Sequence, residues 1–416
     1  MKEKISYIQD VFMDIYDKQL VDLLLRSTNV LSLLPHKDFT GKSHVYTVRR
    51  RGNFGSGFRK ERITLPEAQA REYKQSSLST YYFYQALDLT LPEIRESKGP
   101  GALIDVLGDA VDDAHDNALH NGNRVSIGDG SARMGTISSI DSSDGTYTTL
   151  TVADFPIEIF QIGMVLTAGT GSTGYRVEGV DNSTAQIKVT NDSTGADASG
   201  DGQWTGTNNI YWYGGYDAGF DTEPPGLMAV ISDSNPPSGT FQGKDRTATG
   251  NEWLKAYVQG TAGDNTLLSY LVMKQFLDNL RAHSGKKTKV NSLLAETGVY
   301  NSWMLVLENK GITTQPVVSE GGFASDLSFV FGGKRYVFRE IDEMLDGELY
   351  ALDTQGGIEI RESFPLQWET YGSGGKFVRS VTEDIITARM AWYFTIGSKD
   401  PRRNGVFKGI KRNAIS

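Results

Sequence analysis

Arg49-Arg-Arg-Gly-Asn-Phe-Gly-Ser-Gly-Phe-Arg-Lys-Glu-Arg62 opens a stretch of small and charged residues that runs to Ser77 and holds too few apolar side chains to build a core. It gives way at Thr80 to an alternating run. Tyr81, Phe83, Leu87, Leu89 and Leu91 fall on one face, and Tyr82, Tyr84, Asp88 and Thr90 on the other, which is the two-residue period of a strand. Chain that leaves extended and returns as a strand is a long hairpin, predicted over 46–91. Ordering its outer part costs about 1 to 2 kcal/mol of backbone entropy per residue, with no core of its own to offset it. Resting on a second copy resolves that, and such a head-to-tail contact repeated from copy to copy closes into rings and shells.

The hairpin also carries the sharpest charge feature of the chain: Arg49, Arg50, Arg51, Arg59, Lys60 and Arg62, interleaved with Phe54 and Phe58. Basic residues with aromatics suit single-stranded nucleic acid. The whole chain is acidic, however, with 51 Asp and Glu against 42 Lys and Arg and a net charge of -9. A dedicated nucleic-acid domain is usually basic. These eight residues are therefore read as an inter-subunit contact, pairing with Asp and Glu of a neighbouring copy.

Upstream, Phe12, Ile15, Tyr16, Leu20, Leu23, Leu24, Val30, Leu31, Leu33 and Leu34 follow a roughly helical spacing ended by Pro35, predicting a helix over 11–34. Downstream, Pro100 and Gly101 open the clearest helix, predicted to reach His120 and to stop at Asn121-Gly122. From Val125 to Asp221 the pattern becomes all-β, with runs at 147–152, 164–167, 175–180, 185–190 and 210–213 between Gly, Ser, Thr, Asp and Asn. The stretch 191–206 is nearly free of apolar residues and reads as a loop. After Pro224-Pro225 come helices predicted over 267–280 and 299–310, the second closed by Gly311, with a strand at 290–295 between them. Strands at 327–331, 335–339, 349–352 and 358–360 follow. A long strand then sets Ile386, Ala388, Met390, Trp392, Phe394 and Ile396 on one face. No repeat of fixed period is present.

At 416 residues, more than one core is expected. The absence of cysteine removes thiolate nucleophiles, disulfides and cysteine zinc sites. No apolar window long enough to span a bilayer and no signal-peptide core follows Met1, so a soluble chain without a cleavable export signal is expected. Gly169-Thr-Gly-Ser-Thr-Gly174 matches the dinucleotide string but has strands predicted on both sides, so it reads as a hairpin turn. Gly243-Lys244, Gly333-Lys334 and Gly375-Lys376 are followed by Asp, Arg and Phe, so no phosphate loop is present, nor is there a Gly-x-Ser-x-Gly elbow. His115 and His120, five apart on the clear helix, do not share a face and read as a solvated edge. Glu340, Asp342, Glu343, Asp346 and Glu348 read as a solvated turn between strands, against a weaker reading as the carboxylates of a glycoside hydrolase. Trp204, Tyr211, Trp212 and Tyr213 sustain an alternative in which the chain is a phage tail or surface carbohydrate-binding protein, although aromatics at strand spacing are more often core.

The order of these elements resembles the shell-protein fold shared by the major capsid proteins of tailed bacteriophages and herpesviruses. Lys289-Val-Asn-Ser-Leu-Leu-Ala-Glu-Thr-Gly-Val-Tyr-Asn-Ser-Trp-Met-Leu-Val-Leu-Glu-Asn-Lys-Gly311 looks like that family's axial strand and helix, and Pro401-Arg-Arg-Asn-Gly-Val-Phe-Lys-Gly-Ile410 like its late strand. The resemblance implies an α+β phage major capsid fold with N-terminal arm, extended β-hairpin loop, spine helix, peripheral and axial domains, plus an inserted all-β domain. Its parts map to 1–45 (N-terminal arm and helix), 46–91 (hairpin loop), 92–124 (peripheral domain with spine helix), 125–221 (inserted β domain), 222–262 (peripheral domain continued), 263–375 (axial domain) and 376–416 (peripheral return strand and C-terminus). It further implies a non-enzymatic structural protein that self-assembles into pentamers and hexamers of an icosahedral capsid around the phage genome. No cofactor, metal or membrane is called for. The implied partners are other copies of itself, a separate scaffolding protein, the portal, and encapsidated double-stranded DNA bound non-specifically. With the first helix so near the start, a removable scaffolding segment is not expected. Assembly in the host cytoplasm and residence in the virion follow. Some relatives join subunits through a lysine–asparagine isopeptide bond, for which Lys60 or Lys74 is suitably located, although a solvated lysine is the simpler reading.

Overall fold

The longest strand, Ile385–Gly397, organises one half of the molecule. In the computed structural model, which describes residues 30–53, 55–61, 64, 66–68, 70–90, 92, 106–141, 147–168, 173–195, 204, 208–214, 223–309, 315–316, 326–331, 333–341, 343–370, 377–379 and 384–415, this strand pairs antiparallel with Tyr81–Thr90 on one side and with Glu359–Trp368 and Val378–Arg379 on the other. His36–Asp38 extends the sheet in parallel to Glu359–Trp368. The alternation read from sequence is realised in part: Ala388, Met390, Trp392, Phe394 and Ile396 are buried on one face with Ile386 half-buried, while Ala391 and Thr395 are buried on the other. The other face carries Tyr82, Tyr84, Tyr393 and Phe364, whose rings lie 5.0 to 5.9 Å apart.

Two helices close the buried face. Helix α1, Val30–Leu33, is the described end of the helix predicted over 11–34; positions 11–29 lie outside the described residues. The Val30 amide donates to Asn123 Oδ1 at 3.0 Å. Helix α2, Val106–Ile127, buries Val111, Ala114 and Ala118. It does not stop at Asn121-Gly122, as predicted, but continues for more than a turn; residues 101–105 of the predicted helix lie outside those described. Gly122 serves close approach instead of termination, since an added Cβ would come within 3.1 Å of Leu31 and 3.2 Å of Trp392.

Between α2 and the short helix α3, Leu227–Val230, six strands form a closed barrel in the order 209–212, 133–141, 148–153, 186–191, 175–181, 165–168. Met134, Leu150, Leu166, Tyr175, Val177, Ile187, Val189 and Ile210 fill it. Closure leaves no unpaired edge. Five of these strands were predicted. Arg133–Asp141 escaped because its Ser, Thr and Gly positions blur the alternation. Strands Val165–Ala168 and Tyr175–Asp181 pair antiparallel on either side of the glycine string, as a turn requires, although residues 169–172 lie outside those described.

The other half is a seven-stranded sheet in the order 257–259, 405–407, 349–352, 292–295, 334–340, 326–331, 315–316. Helices α4, Tyr270–His283, and α5, Thr297–Asn309, share its core, in which Phe276, Leu280, Leu293, Trp303, Phe338 and Phe407 are buried. Helix α4 begins three residues later than predicted because Thr266–Leu268 is a strand and Ser269 Oγ accepts the Val272 amide at 3.3 Å. Helix α5 begins two residues earlier because the Glu296 carboxylate accepts the amides of Gly298 (2.7 Å) and Val299 (3.2 Å); Lys310 and Gly311 lie outside the described residues. The segment 376–416, expected to return to one domain, divides: Ile385–Gly397 stays in the first sheet, Gly405–Phe407 enters the second, and Ile410–Ile415 pairs with Thr266–Leu268. Among the described residues no helix is long and apolar enough to cross a membrane.

Candidate subunit-contact site

The hairpin is a two-stranded ribbon, Ser43–Arg51 against Glu72–Ser79, in register from Ser43 opposite Ser79 to Arg51 opposite Glu72. This corrects two expectations. The returning strand is Glu72–Ser79, and Tyr81–Thr90 belongs to the long sheet. The span Arg49–Ser77 is also partly regular, because a ladder of main-chain hydrogen bonds needs no apolar side chains and Glu-Tyr-Lys-Gln-Ser-Ser-Leu-Ser gives too few to be seen as a strand.

Only the base of the ribbon is built into the body. Tyr46, Ser76 and Leu78 are buried there. The Ser77 amide donates to the Gln242 carbonyl at 3.0 Å, and Ser76 Oγ to Gln242 Oε1 at 3.0 Å. Beneath them Glu359 accepts from Lys37 Nζ, Tyr46 Oη and Arg361 Nε, each at 2.6 Å. Burial pushes the Glu359 carboxyl up, but these three donors outweigh it and hold it below its ordinary value. The same burial, with the carboxylate alongside, pushes the Tyr46 hydroxyl far up and keeps it a donor.

Beyond Val48 no described ribbon side chain enters a core, and Arg49 and Arg50 are its last residues beside the body. Arg49, Arg50 and Arg51 are exposed at the end of the outgoing strand, with a bulge between Arg49 and Arg51. Arg50 pairs with Glu72 at 2.9 Å and lowers the Glu72 carboxyl by that hydrogen bond. Phe58 is fully exposed, Arg59 and Lys60 are exposed, and Arg59 Nη1 donates to the carbonyl of its neighbour Phe58 at 3.3 Å. Phe54 and Arg62 lie outside the described residues. The basic cluster thus divides into a group at the strand end and a group at the tip. The first lines a hollow of about 370 Å³ in which Arg49 and Arg50 meet Lys74, Trp253, His283 and Arg402. No sequence signal marked Trp253, His283 or Arg402, which arrive from distant elements.

The other candidate residues are absorbed by the fold. Trp204 and Tyr211 are buried in the barrel, Trp204 edge-on to Tyr175 at 4.8 Å, so they offer no face to a sugar. Trp212 is half-buried with the Arg124 guanidinium over its ring at 5.0 Å, and only Tyr213 is exposed. Arg124 in turn forms a buried two-point ion pair with Glu223. In the acidic run, Asp342 lies outside the described residues, Asp346 pairs with Arg412 at 2.7 Å, and Glu348 is buried, bonded to Tyr350 and paired with Lys408 at 3.2 Å. The predicted solvated turn is therefore partly a buried anchor, since Ile341, Met344 and Leu345 are core. His115 is buried and His120 reaches the barrel carbonyl of Ile159 at 3.0 Å, so neither sits on a solvated edge. Among the described residues, no three His, Asp or Glu are grouped so as to hold a metal.

No family model and no curated protein matches the chain. Among solved structures it is similar to a chain of the Cyanophage A-1(L) capsid asymmetric unit, with a TM-score of 0.55 and 14% identity over 92% of each chain. At TM-scores of 0.46 and 0.41, the likenesses to the capsid of the native GTA particle (12% identity, 93% of this chain and 91% of that one) and to Mycobacterium phage Adephagia (11% identity, 92% of each) are too faint to add to it. The chain has the α+β phage major capsid protein fold that its sequence resembles.

Proposed function

We propose that this chain is the shell-forming subunit of a tailed-phage capsid, assembling through pentamers and hexamers into an icosahedral container for the genome. The observation that carries the reading is the hairpin. A ribbon of nine and eight residues leaves the body and ends in a fully exposed phenylalanine and two cations with no core beneath them. Holding such a tip in one place costs about 1 to 2 kcal/mol per residue, and a surface on a neighbouring copy offsets that cost. On this reading the sheet of Ile385–Gly397 with α2 forms the peripheral part of the subunit. The seven-stranded sheet with α4 and α5 forms the axial part around the five- and six-fold axes, and the barrel of 133–212 is an added module. Double-stranded DNA is enclosed cargo touched without sequence preference. A scaffolding protein and the portal are the remaining partners, assembly takes place in the host cytoplasm, and the finished particle is the virion.

The test is the state of the purified full-length chain. Sedimentation velocity and negative-stain microscopy across a range of concentrations are expected to show rings, shells or tubes built from five- and six-membered units. A single monomeric species at every concentration and salt, or a small trimer with affinity for oligosaccharide, would overturn the reading.

A further inference from the structure

The outer face of the long sheet holds a group of phenols for which the shell reading gives no role. Tyr393 of Ile385–Gly397 stands directly opposite Tyr82 of Tyr81–Thr90, with Tyr84 on the diagonal. The Tyr82 ring meets Tyr393 edge-on at 5.0 Å and the Tyr84 ring at 5.9 Å, and Phe364 flanks Tyr393 from the next strand at 5.2 Å. Tyr82 and Tyr84 are 54% and 51% exposed.

One pair of these phenols joins through oxygen. Tyr84 Oη donates to Tyr393 Oη at 3.1 Å, whereas the Tyr82 hydroxyl has no hydrogen bond among the described residues. The Glu369 carboxylate bears on the Tyr393 hydroxyl by charge and by hydrogen bond. Two phenols with adjacent hydroxyls, open to solvent and beside a carboxylate that can take a proton, are arranged as one-electron oxidation requires to make a biaryl bond. Cysteine, whose thiolate oxidants attack readily, is absent from the chain.

The pair also sits where load falls. The ribbon strand Glu72–Ser79 runs through Thr80 directly into Tyr81–Thr90, so a pull on the ribbon passes to this strand. Among the described residues Tyr81–Thr90 has one ladder partner, Ile385–Gly397. A strand held along one side can peel away bond by bond, and a covalent link to its neighbour stops the peeling.

We infer that Tyr84 and Tyr393 form an oxidative modification site, at which hydrogen peroxide and a haem peroxidase join them into a dityrosine that staples the ribbon-bearing strand to the middle of the sheet. Each phenol gives up one electron and its hydroxyl proton, that of Tyr393 passing to Glu369 and that of Tyr84 to water. The two radicals join through the ring carbons next to the oxygens, and the hydrogens displaced from those carbons return to the oxygens as hydroxyl protons. The chain loses two hydrogen atoms in all, and the peroxide O–O bond breaks to give two waters. The link closes a loop between positions 309 apart, so it restricts the unfolded chain as a disulfide does. The site goes beyond the shell reading and does not depend on it.

The test uses the full-length chain, kept dilute enough to stay as single subunits, with hydrogen peroxide and a haem peroxidase. Dityrosine fluorescence is expected, with mass spectrometry placing the bond between the peptides of Tyr84 and Tyr393 at a loss of two hydrogen atoms. Y84F and Y393F should each remove most of that yield, and Y82F should keep it. The oxidised wild type should unfold at least about 5 °C above the oxidised Y84F variant. Phenylalanine keeps the ring at each position, and circular dichroism verifies that the variants fold. Equal yield in Y84F or Y393F, a bond placed on Tyr82 or any other tyrosine, or links formed mainly between chains would overturn the site. Because the readout is taken on single subunits, a chain that never assembles would overturn the shell reading and leave this result standing.

Discussion

Glu359 illustrates how single residues tie the hairpin to the body. Its carboxylate is shared by Lys37 from the edge strand, Tyr46 from the ribbon and Arg361 from its own strand, so three elements meet on two oxygen atoms. Because the folded carboxyl titrates below its ordinary value of 4.5, it contributes stability that is fully present above about pH 4.5 and lost as pH falls through the lower folded value. E359Q removes the charge and keeps the shape. It is expected to lower stability at pH 7 by about 1.5 to 3 kcal/mol, the range for hydrogen bonds to charged groups, and to flatten the dependence on pH below 4.5. Urea midpoints at pH 7 and at several values between 3 and 5 measure both effects. An unchanged acid limb in E359Q would show that the triad is decorative. Nothing in the sequence pointed to Glu359. Its partners Lys37 and Tyr46 stand 322 and 313 positions away, and one glutamate among the mixed polar and apolar residues of Glu359–Trp368 carries no signal of what it will meet.

Elements were legible where one face alone is buried. The side-chain alternation of Tyr81–Thr90, the apolar face of Ile385–Gly397 and the stripe of Val111, Ala114 and Ala118 on α2 were read correctly, because a core-facing side imposes a period on the sequence even where, as at Ala391 and Thr395, the other side is covered too. Elements were missed where main-chain pairing or a small residue does the work. Glu72–Ser79 and Arg133–Asp141 are polar strands held by their neighbours, and Gly122 signals contact where it resembled a stop. Gly226 makes the point testable. A Cβ there would fall 2.6 Å from the Gly128 carbonyl oxygen, 2.7 Å from that of Ser126, and closer still to that of Val125, all backbone atoms at the end of α2. G226A is therefore expected to cost at least about 3 kcal/mol, the upper end of overpacking penalties, because a helix terminus must shift. G122A meets only the ends of Leu31 and Trp392 and recovers about 1 kcal/mol of helix propensity, so its net effect should be much smaller. Thermal midpoints of the two variants decide it, and equal losses would refute the assignment of Gly226 as the seat of the helix end.

At the scale of the molecule, two cores of different composition meet through shared strands and the barrel closes on itself, yet the ribbon gives them only Val48, half-buried against the first core, while its buried Tyr46 and Leu78 stand outside both. The projecting hairpin was legible from composition, because a stretch that cannot bury itself is visible as such, whereas the fold class came from the order of elements and its resemblance to phage capsid proteins. The hollow beside Arg49 and Arg50 was not legible, since Trp253, His283 and Arg402 reach it from distant elements whose juxtaposition no periodicity encodes. A part that adds little to folding but is ordered only in company should be removable without harm to the subunit and with full loss of the assembly. The register permits a clean excision: Arg51 and Glu72 already face each other, so residues 52–71 can be replaced by Asn-Gly, the preferred two-residue turn. The shortened chain is expected to keep its circular dichroism spectrum and to unfold within a few degrees of the wild type, because the buried contacts at Tyr46, Ser76 and Leu78 are untouched. In sedimentation it should stop at single subunits or small rings under conditions where the intact chain forms closed particles. Closed particles of normal size from the excised chain would mean that the tip is dispensable and that the shell is held by other surfaces of the subunits.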